Sequence, residues 1–269
     1  MVSATVGVDL RDGGRWTSLH LGGAEWLWAG PGLVSGPRTG RAVFTDAGGL
    51  DECFPTVRGT PDHGGLWNQV WTDDGEWDAV RWDDVVLRRR MNGGTRPDAA
   101  PLAVPRADTG AVWADYELTA PPGYQFVWAA HALLDCAVGA SVDVPDKTAC
   151  RLYPDEGPWV EGDWSSTLST YGPSDGTAVG AVLVDCPSAT VRDRGMALTF
   201  ELSCPGQPVS TAVWRNLEGF PAGAPYRSLG VEPMLGRVFD LAEAGPGDAA
   251  VVPDGGRLTW RLVVSARPA

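Results

Sequence analysis

Residues 112–134 read VWADYELTAPPGYQFVWAAHALL, and this stretch decides the fold class. It contains two runs rich in aliphatic and aromatic residues, the composition that is typical of β-strands. A Pro-Pro-Gly-Tyr segment separates the runs, and proline and glycine at such a point favour a tight turn. We therefore predict a β-hairpin at residues 112–134.

Similar short runs recur on both sides of this segment. The sequences ALTFELSC (197–204) and RLTWRLVVS (257–265) alternate apolar and polar residues, as half-buried strands do. The chain's 35 glycines and 22 prolines separate the runs, and only residues 237–244 could form one or two helical turns. We predict an all-β fold, a large antiparallel β-sandwich, with strands at 16–21, 112–119, 125–134, 178–184, 197–204, 210–214 and 258–265.

No internal repeat and no shift in composition divides the 269 residues. A β-sandwich of this length often forms one unit, so we predict a single domain over residues 1–269. Residues 92–107 are rich in Gly, Pro and Asp, and we expect them to form a mobile insertion.

The net charge of -13 argues against two classes of partner. Phosphate backbones and anionic lipid surfaces would be repelled, so we expect neither nucleic acid nor membrane as a partner. The N-terminal residues have no signal-peptide pattern, and no apolar run approaches the length of a membrane span. Five scattered cysteines without a CxxC pair favour free thiols in the cytoplasm. Nothing in the sequence indicates an oligomeric state.

The three histidines are the first candidates for a functional site. His20 and His131 lie in strand-like runs, where a histidine is more often structural, an interpretation that we favour for His20. His63 lies in the turn-rich sequence PDHGGLWNQVW, where Gly64 and Gly65 allow the backbone to approach a ligand closely. From spacing alone, a structural and a functional role are equally well supported for His63.

Among the carboxylates, Glu232 stands out because Pro233 restricts its backbone to an extended form. Beside apolar residues its pKa should be raised, so it could act as a base near neutral pH; the alternative is an exposed glutamate on an edge strand. Asp51 and Glu52 form a second candidate acid pair.

No nucleotide-binding, hydrolase or metal-binding motif is present, and we expect neither a cofactor nor a metal.

Thirteen tryptophans are unusual beside five tyrosines and six phenylalanines. Most are expected in the core of the sandwich. Several could line a groove, because the apolar faces of sugars stack on flat aromatic rings.

Several segments together resemble the aldose 1-epimerase family, whose fold is the galactose mutarotase-like supersandwich. The resemblance covers nearly the whole chain in the family's order. It is carried by GGRWTSLHLGGAEWLW (13–28), GGLDECFPTVRGTPDHGGLWNQVW (48–71), VWAAHALLDCAVGASVDVP (127–145), ALTFELSCPGQPVSTAVWRNLEGFPAG (197–223), YRSLGVEPMLGRVFDLAEA (226–244) and DGGRLTWRLVVS (254–265).

The resemblance implies that His131 is the general acid, Glu232 the general base and His63 a substrate-binding histidine. In that family the base takes the proton of the anomeric hydroxyl while the acid protonates the ring oxygen, and the opened ring recloses as the other anomer. We expect His63, His131 and Glu232 to share one cavity, with the last two far enough apart to span a pyranose. The other expected substrate-binding residues are Trp67, Asn68, Glu52, Arg58, Trp214 and Arg215.

Relatives that act on hexose phosphates carry an arginine for the phosphate in the motif HGxAR. Here the same register reads His63-Gly64-Gly65-Leu66-Trp67. The resemblance therefore implies a small, unphosphorylated sugar as substrate and an isomerase (mutarotase) activity in carbohydrate metabolism. Two alternatives remain open: a non-catalytic carbohydrate-binding protein, and a related acid–base enzyme acting on a glycoside or sugar-like metabolite. A binding protein does not need both His131 and Glu232.

Overall fold

The structure is a computed structural model that describes residues 4–30, 48–67, 69–92, 110–154 and 158–269, without the side chain of Asn92. The insertion predicted at residues 92–107 falls outside the described residues from position 93 onwards. That prediction is therefore untested.

The larger sheet contains ten strands within the described part of the chain, and every neighbouring pair runs antiparallel. Strand β3 (Ala24–Glu25) pairs only with β2. The other nine, in spatial order, are β1 (Thr5–Asp9), β2 (Arg15–Leu21), β4 (Leu50–Cys53), β10 (Trp128–Leu134), β19 (Arg227–Leu235), β18 (Val209–Leu217), β15 (Thr177–Leu183), β12 (Ala149–Tyr153) and β13 (Val160–Asp163).

The second sheet contains nine described strands, again antiparallel. In spatial order they are β14 (Thr170–Tyr171), β11 (Ala140–Asp143), β16 (Ser188–Asp193), β17 (Met196–Ser203), β21 (Arg257–Pro268), β8 (Ala111–Thr119), β7 (Val85–Asn92), β6 (Asp78–Trp82) and β5 (Thr72–Asp73). A small ladder joins β9 (Gln125–Phe126) to β20 (Ala250–Val251).

Helix is confined, in the described residues, to α1 (Ser166–Ser169) and a 3-10 turn at Leu241–Glu243. The turn lies inside the 237–244 segment that the sequence allowed to be helical. The all-β, antiparallel sandwich prediction is thus confirmed.

The hairpin predicted at residues 112–134 is wrong. Strand β8 pairs with β7 and β21 in one sheet, whereas β10 pairs with β4 and β19 in the other. The Pro-Pro-Gly-Tyr segment therefore carries the chain from one sheet to the other. Local sequence predicts strand and turn correctly here, but it does not specify which strand supplies the hydrogen-bonding partner.

Side chains of the larger sheet alternate between two apolar clusters, as strand geometry requires. One cluster fills the space between the sheets, where Trp128 lies 4.9 Å from Tyr116 and 5.3 Å from Trp260, measured between ring centroids. The other covers the outer face of the larger sheet and includes Ala129 and Met234. All seven residues of β10 are buried because both of its faces are covered.

Candidate functional site

A cavity of about 460 Å³ opens on the outer face of the larger sheet, the face opposite the inter-sheet core. Its size is that of a small-molecule site. Strands β10, β12, β15, β18 and β19 and three loops contribute to it. The lining residues are Val57, Arg58, Asp62, His63, His131, Tyr153, Gly180, Trp214, Gly219, Phe220, Ala222, Glu232 and Phe239.

His131 and Glu232 face each other at the floor of this cavity. The antiparallel register that pairs Ala129 with Met234 and Ala132 with Val231 places His131 opposite Glu232 on neighbouring strands. The two side chains project from the same face, and His131 Nε2 lies 3.5 Å from Glu232 Oε1. The expectation that they lie far enough apart to span a pyranose is therefore wrong.

Glu232 is a nearly enclosed carboxylic acid, only 2% exposed. Its Oε2 atom has no hydrogen-bond partner among the described residues. Burial raises the pKa of Glu232 to about 8, because the charged form loses its hydration. This agrees with the raised pKa expected from the sequence, although the carboxylate lies on a central strand and not at an exposed edge.

The pKa of His131 moves in the opposite direction. Burial, followed by the nearby His63, lowers it to about 3. Both shifts favour the uncharged forms, so at neutral pH the pair holds one proton on the carboxyl group and carries no net charge. A neutral acid in contact with a neutral imidazole can exchange a proton in either direction with a bound ligand.

Gly230 leaves room for this arrangement. A Cβ atom added at Gly230 would lie 2.7 Å from Glu232 Oε1 and 2.9 Å from the Cβ atom of Trp214. Both distances are shorter than normal contacts. Glycine at this position therefore lets the Glu232 side chain turn towards His131.

His63 reaches the cavity from the loop that follows β4. Its ring stands edge-on to the ring of His131, with centroids 5.0 Å apart. Asp62 Oδ2 lies 3.1 Å from His63 Nδ1. The three side chains expected in one cavity, His63, His131 and Glu232, all line it.

Aromatic rings form the remaining walls. Trp214 and Phe220 meet edge-to-face with centroids 5.8 Å apart, and Tyr153 and Phe239 lie 4.5 Å apart. The backbone N–H of Phe239 donates to the Tyr153 hydroxyl at 3.3 Å. Flat apolar walls beside a polar floor suit a molecule with hydroxyl edges and apolar faces.

Two further residues expected at the site line the cavity: Arg58, whose side chain is exposed, and Trp214. Trp67 is buried behind the lining and contacts His63 at a centroid distance of 5.5 Å. Asn68 lies outside the described residues.

Glu52 and Arg215 do not line the cavity, which corrects the sequence expectation. Glu52 projects between the sheets because it follows Asp51 on the same strand, and adjacent residues of a strand face opposite sides. There it accepts hydrogen bonds from Arg89 (2.9 Å), Tyr116 (2.8 Å) and Trp128 (2.8 Å). Arg215 instead donates to the backbone oxygen of Thr170 at 3.2 Å.

Sequence reasoning did not predict the role of Asp51. It pairs with the buried Arg15, whose Nε and Nη2 donate to the carboxylate at 2.9 and 3.2 Å. Its Cα is the register partner of His131 across β4 and β10. Strand alternation places Asp51 and Glu52 on opposite faces of the sheet. Which of the two faces the cavity depends on the pairing of β4 with β10, which the sequence does not give. Asp62, Tyr153 and Phe239 were also missed.

The described residues contain no group of three or more His, Cys, Asp or Glu arranged to hold a metal ion. They also contain no helix that is both long and apolar enough to cross a membrane.

Comparison with solved structures places this architecture among galactose mutarotase-like folds. A candidate aldose 1-epimerase from Escherichia coli K12 superposes with a TM-score of 0.64 at 14% identity, covering 100% of this chain and 99% of that one. The Slr1438 protein from Synechocystis sp. PCC 6803 gives 0.66 at 13% identity, with 97% and 91% covered. A galactose mutarotase related enzyme from Lactobacillus acidophilus gives 0.62 at 10% identity, with 99% and 95% covered.

At these identities the likeness concerns the fold alone. No protein-family model matches the sequence, and no curated protein matches it either. The chain is therefore a galactose mutarotase-like β-sandwich, and its activity has to be argued from the cavity.

Proposed function

We propose that this protein interconverts the anomers of a neutral, unphosphorylated sugar. The observation that carries the proposal is the contact between His131 Nε2 and Glu232 Oε1 at the floor of a cavity with aromatic walls. Burying two ionisable side chains is unfavourable unless they form hydrogen bonds. Their presence at the floor of the cavity therefore favours a ligand that can form hydrogen bonds with them. A ligand hydroxyl would satisfy the unpartnered Oε2 of Glu232.

The short separation suits anomerisation. The anomeric hydroxyl oxygen and the ring oxygen are bonded to the same carbon atom, so the acid and the base need to reach one edge of the sugar. Before the ring opens, the proton of Glu232 must pass to His131 along their contact, a step that the pKa values of the two groups make unfavourable and that therefore adds to the barrier. Glu232 then takes the hydroxyl proton while His131 protonates the ring oxygen, which opens the ring. Reclosure on the other face returns both protons.

The surrounding residues support binding of a sugar in this orientation. Trp214 and Phe220 offer a surface for the apolar face of a pyranose, while His63 and Asp62 offer polar atoms to its hydroxyl groups. Arg58 is the one Lys or Arg among the described residues that line the cavity. The negative charge of Asp62, whose pKa Arg58 helps to lower, offsets the charge of Arg58.

Replacement of either member of the pair tests the proposal. Glu232→Gln and His131→Asn should each slow anomerisation by on the order of 10²–10⁴ while sugar binding is nearly retained, because each loses proton transfer but keeps hydrogen bonding. The double variant should lose less than the sum of the two effects. Exchange NMR or polarimetry on a panel of free aldoses, at low buffer concentration, measures the rates.

Two matched controls are available. Glu201→Gln changes an exposed glutamate of the second sheet, and His20→Asn changes a histidine that does not line the cavity. Both should keep the wild-type rate. Full activity in Glu232→Gln would reject Glu232 as the base and direct attention to Asp62, since Glu52 faces the other side of its strand. Binding of a sugar by the wild-type protein without anomerisation would favour the carbohydrate-binding alternative.

A further inference from the structure

His63 adopts a backbone conformation that few residues tolerate. Its φ angle is 62°, in the left-handed region where non-glycine residues are uncommon and histidine is among the more frequent exceptions. Its N–H donates to the Val57 carbonyl at 3.0 Å, and the N–H of Gly64 donates to the Pro61 carbonyl at 2.9 Å. The turn is thus held by its own hydrogen bonds, and uncommon backbone conformations of this kind occur at ligand sites.

The conformation brings two adjacent side chains together. Asp62 Oδ2 lies 3.1 Å from His63 Nδ1, and both residues line the cavity. A carboxylate is only an acceptor, so Nδ1 of His63 must carry the hydrogen in this contact. The two nitrogens of an imidazole are not equivalent, and the hydrogen bond of one nitrogen fixes the state of the other.

We propose that Asp62 is a positioning residue that holds His63 in the Nδ1–H tautomer, so that Nε2 presents a lone pair to a hydroxyl group of the sugar. This inference rests on the proposed function. It states that, in the hydrogen bond between His63 and the sugar, the sugar hydroxyl donates and His63 Nε2 accepts. The His63 ring is edge-on to His131, with centroids 5.0 Å apart, so the acceptor would lie beside the acid–base pair. A substrate that fits must offer a hydroxyl, and not only an acceptor, at that position.

The charge of Asp62 is consistent with this role. Burial acts to raise the pKa of Asp62, but the hydrogen bond from His63, together with the attraction of Arg58 and of His63 and His131 in their protonated forms, outweighs it and lowers the pKa. Asp62 is therefore ionised throughout the neutral range. Its side chain is 51% exposed, which leaves the carboxylate hydrated on one side and bonded to His63 on the other.

Nitrogen-15 NMR of the histidine rings tests the proposal without turnover. The chain has three histidines, so the ring resonances are few, and single-histidine variants assign them. At pH 7.5 His63 of the wild-type protein should be the Nδ1–H tautomer. Asp62→Ala removes the acceptor and should shift His63 towards Nε2–H, while Asp62→Asn, which keeps a neutral acceptor, should give a smaller shift. Unmoved His20 resonances would show that the fold is retained, because His20 does not line the cavity.

The same variants test the effect on the sugar. Asp62→Ala should lower kcat/KM by roughly 10–100-fold, comparable with the loss of a carboxylate that orients a metal-bound histidine. Asp143→Ala, which removes a 44% exposed carboxylate paired with Arg192, should have no effect. A His63 tautomer that is Nε2–H in the wild type, or unchanged in Asp62→Ala, would overturn the proposal. Should the wild type bind sugar without anomerising it, the proposed function alone fails, and sugar affinity replaces kcat/KM as the readout.

Discussion

Glu232 is a carboxylic acid whose burial has a thermodynamic consequence for the folded state. Its pKa rises from an ordinary 4.5 to about 8 through loss of hydration. Between these values the folded protein retains a proton that the unfolded chain releases. The contribution of Glu232 to stability is therefore fully present below about pH 4.5 and is lost as the pH rises through about 8.

Glu232→Gln should remove this pH dependence. We expect the free energy of unfolding of the variant, relative to wild type, to increase by on the order of a few kcal/mol between pH 5 and pH 8.5, since each pKa unit corresponds to about 1.4 kcal/mol. Urea unfolding at both pH values measures the difference. His131 contributes the opposite trend below pH 6.5, because its pKa is lowered, but it is present in both proteins.

Glu201→Gln provides the control, because Glu201 is exposed on the second sheet. Its stability relative to wild type should not change with pH. A constant difference between Glu232→Gln and wild type across this range would mean that the folded protein holds Glu232 as an ordinary carboxylate.

Individual residues were predictable to the extent that their chemistry is local. His63, His131 and Glu232 were identified from sequence and resemblance, and the structure brings them together, although their roles remain proposals. Their separation was mispredicted because it depends on a register between β10 and β19, which are about a hundred residues apart in the chain. Glu52 was mistaken for a cavity residue for a similar reason, since only the pairing of β4 decides which side Glu52 faces.

At the scale of secondary-structure elements, three neighbouring strands carry the acid–base pair and one of the aromatic walls of the cavity. Strands β10, β19 and β18 lie side by side, and the residues that alternate towards the outer face include His131, Glu232 and Trp214. Gly230 is the register partner of Trp214 across β18 and β19. The absence of a side chain at Gly230 therefore affects two cavity residues at once.

Gly230→Ala should displace the Glu232 carboxyl group from His131. The added Cβ would lie 2.7 Å from Glu232 Oε1 and 2.9 Å from Trp214 Cβ, so at least one side chain must move. A displacement of this kind misaligns an acid–base pair, and we expect anomerisation to slow by about 10²-fold while the fold persists. Rate measurements with circular dichroism of the aromatic residues would show both effects.

Gly162→Ala is the matched control. Gly162 also lies in a strand, β13, and a Cβ atom added there meets no atom within 4 Å. This variant should keep the wild-type rate. A wild-type rate in Gly230→Ala would mean that the position of the Glu232 carboxyl group does not limit the reaction.

Strands were predictable where apolar and polar residues alternate in the sequence. Strand β7 lacks this alternation, and the sequence analysis did not predict it. Its sequence VVLRRRMN holds three consecutive arginines and does not resemble a half-buried strand. Arg88 and Arg90 face outwards and contact Asp74 and Glu76, as alternation allows. Arg89 faces the core, where Glu52 and Asp78 neutralise it, an arrangement visible only once the sheets are assembled.

At the scale of the whole molecule, the two faces of the larger sheet have different surroundings. The inner face packs against the second sheet through Trp128 and its aromatic neighbours, while the outer face carries the cavity. Apolar residues cover both sides of β10, and His131 and Glu232 are only 8% and 2% exposed. The chain has a net charge of -13, and Arg58 is the one Lys or Arg among the described residues that line the cavity.

That charge distribution leads to a prediction about phosphorylated sugars. Hexose 6-phosphates should bind more weakly than the parent hexoses in calorimetry, because the negative field of the protein repels a dianion and the charge of Arg58 is offset by Asp62, whose pKa it helps to lower. Raising the salt concentration should narrow the difference, since exposed charges more than about 10 Å apart are screened at 0.1 M. Arg58→Gln should leave hexose binding nearly unchanged. A preference for the phosphate that disappears in Arg58→Gln would contradict the choice of an unphosphorylated substrate and identify Arg58 as the phosphate-binding residue.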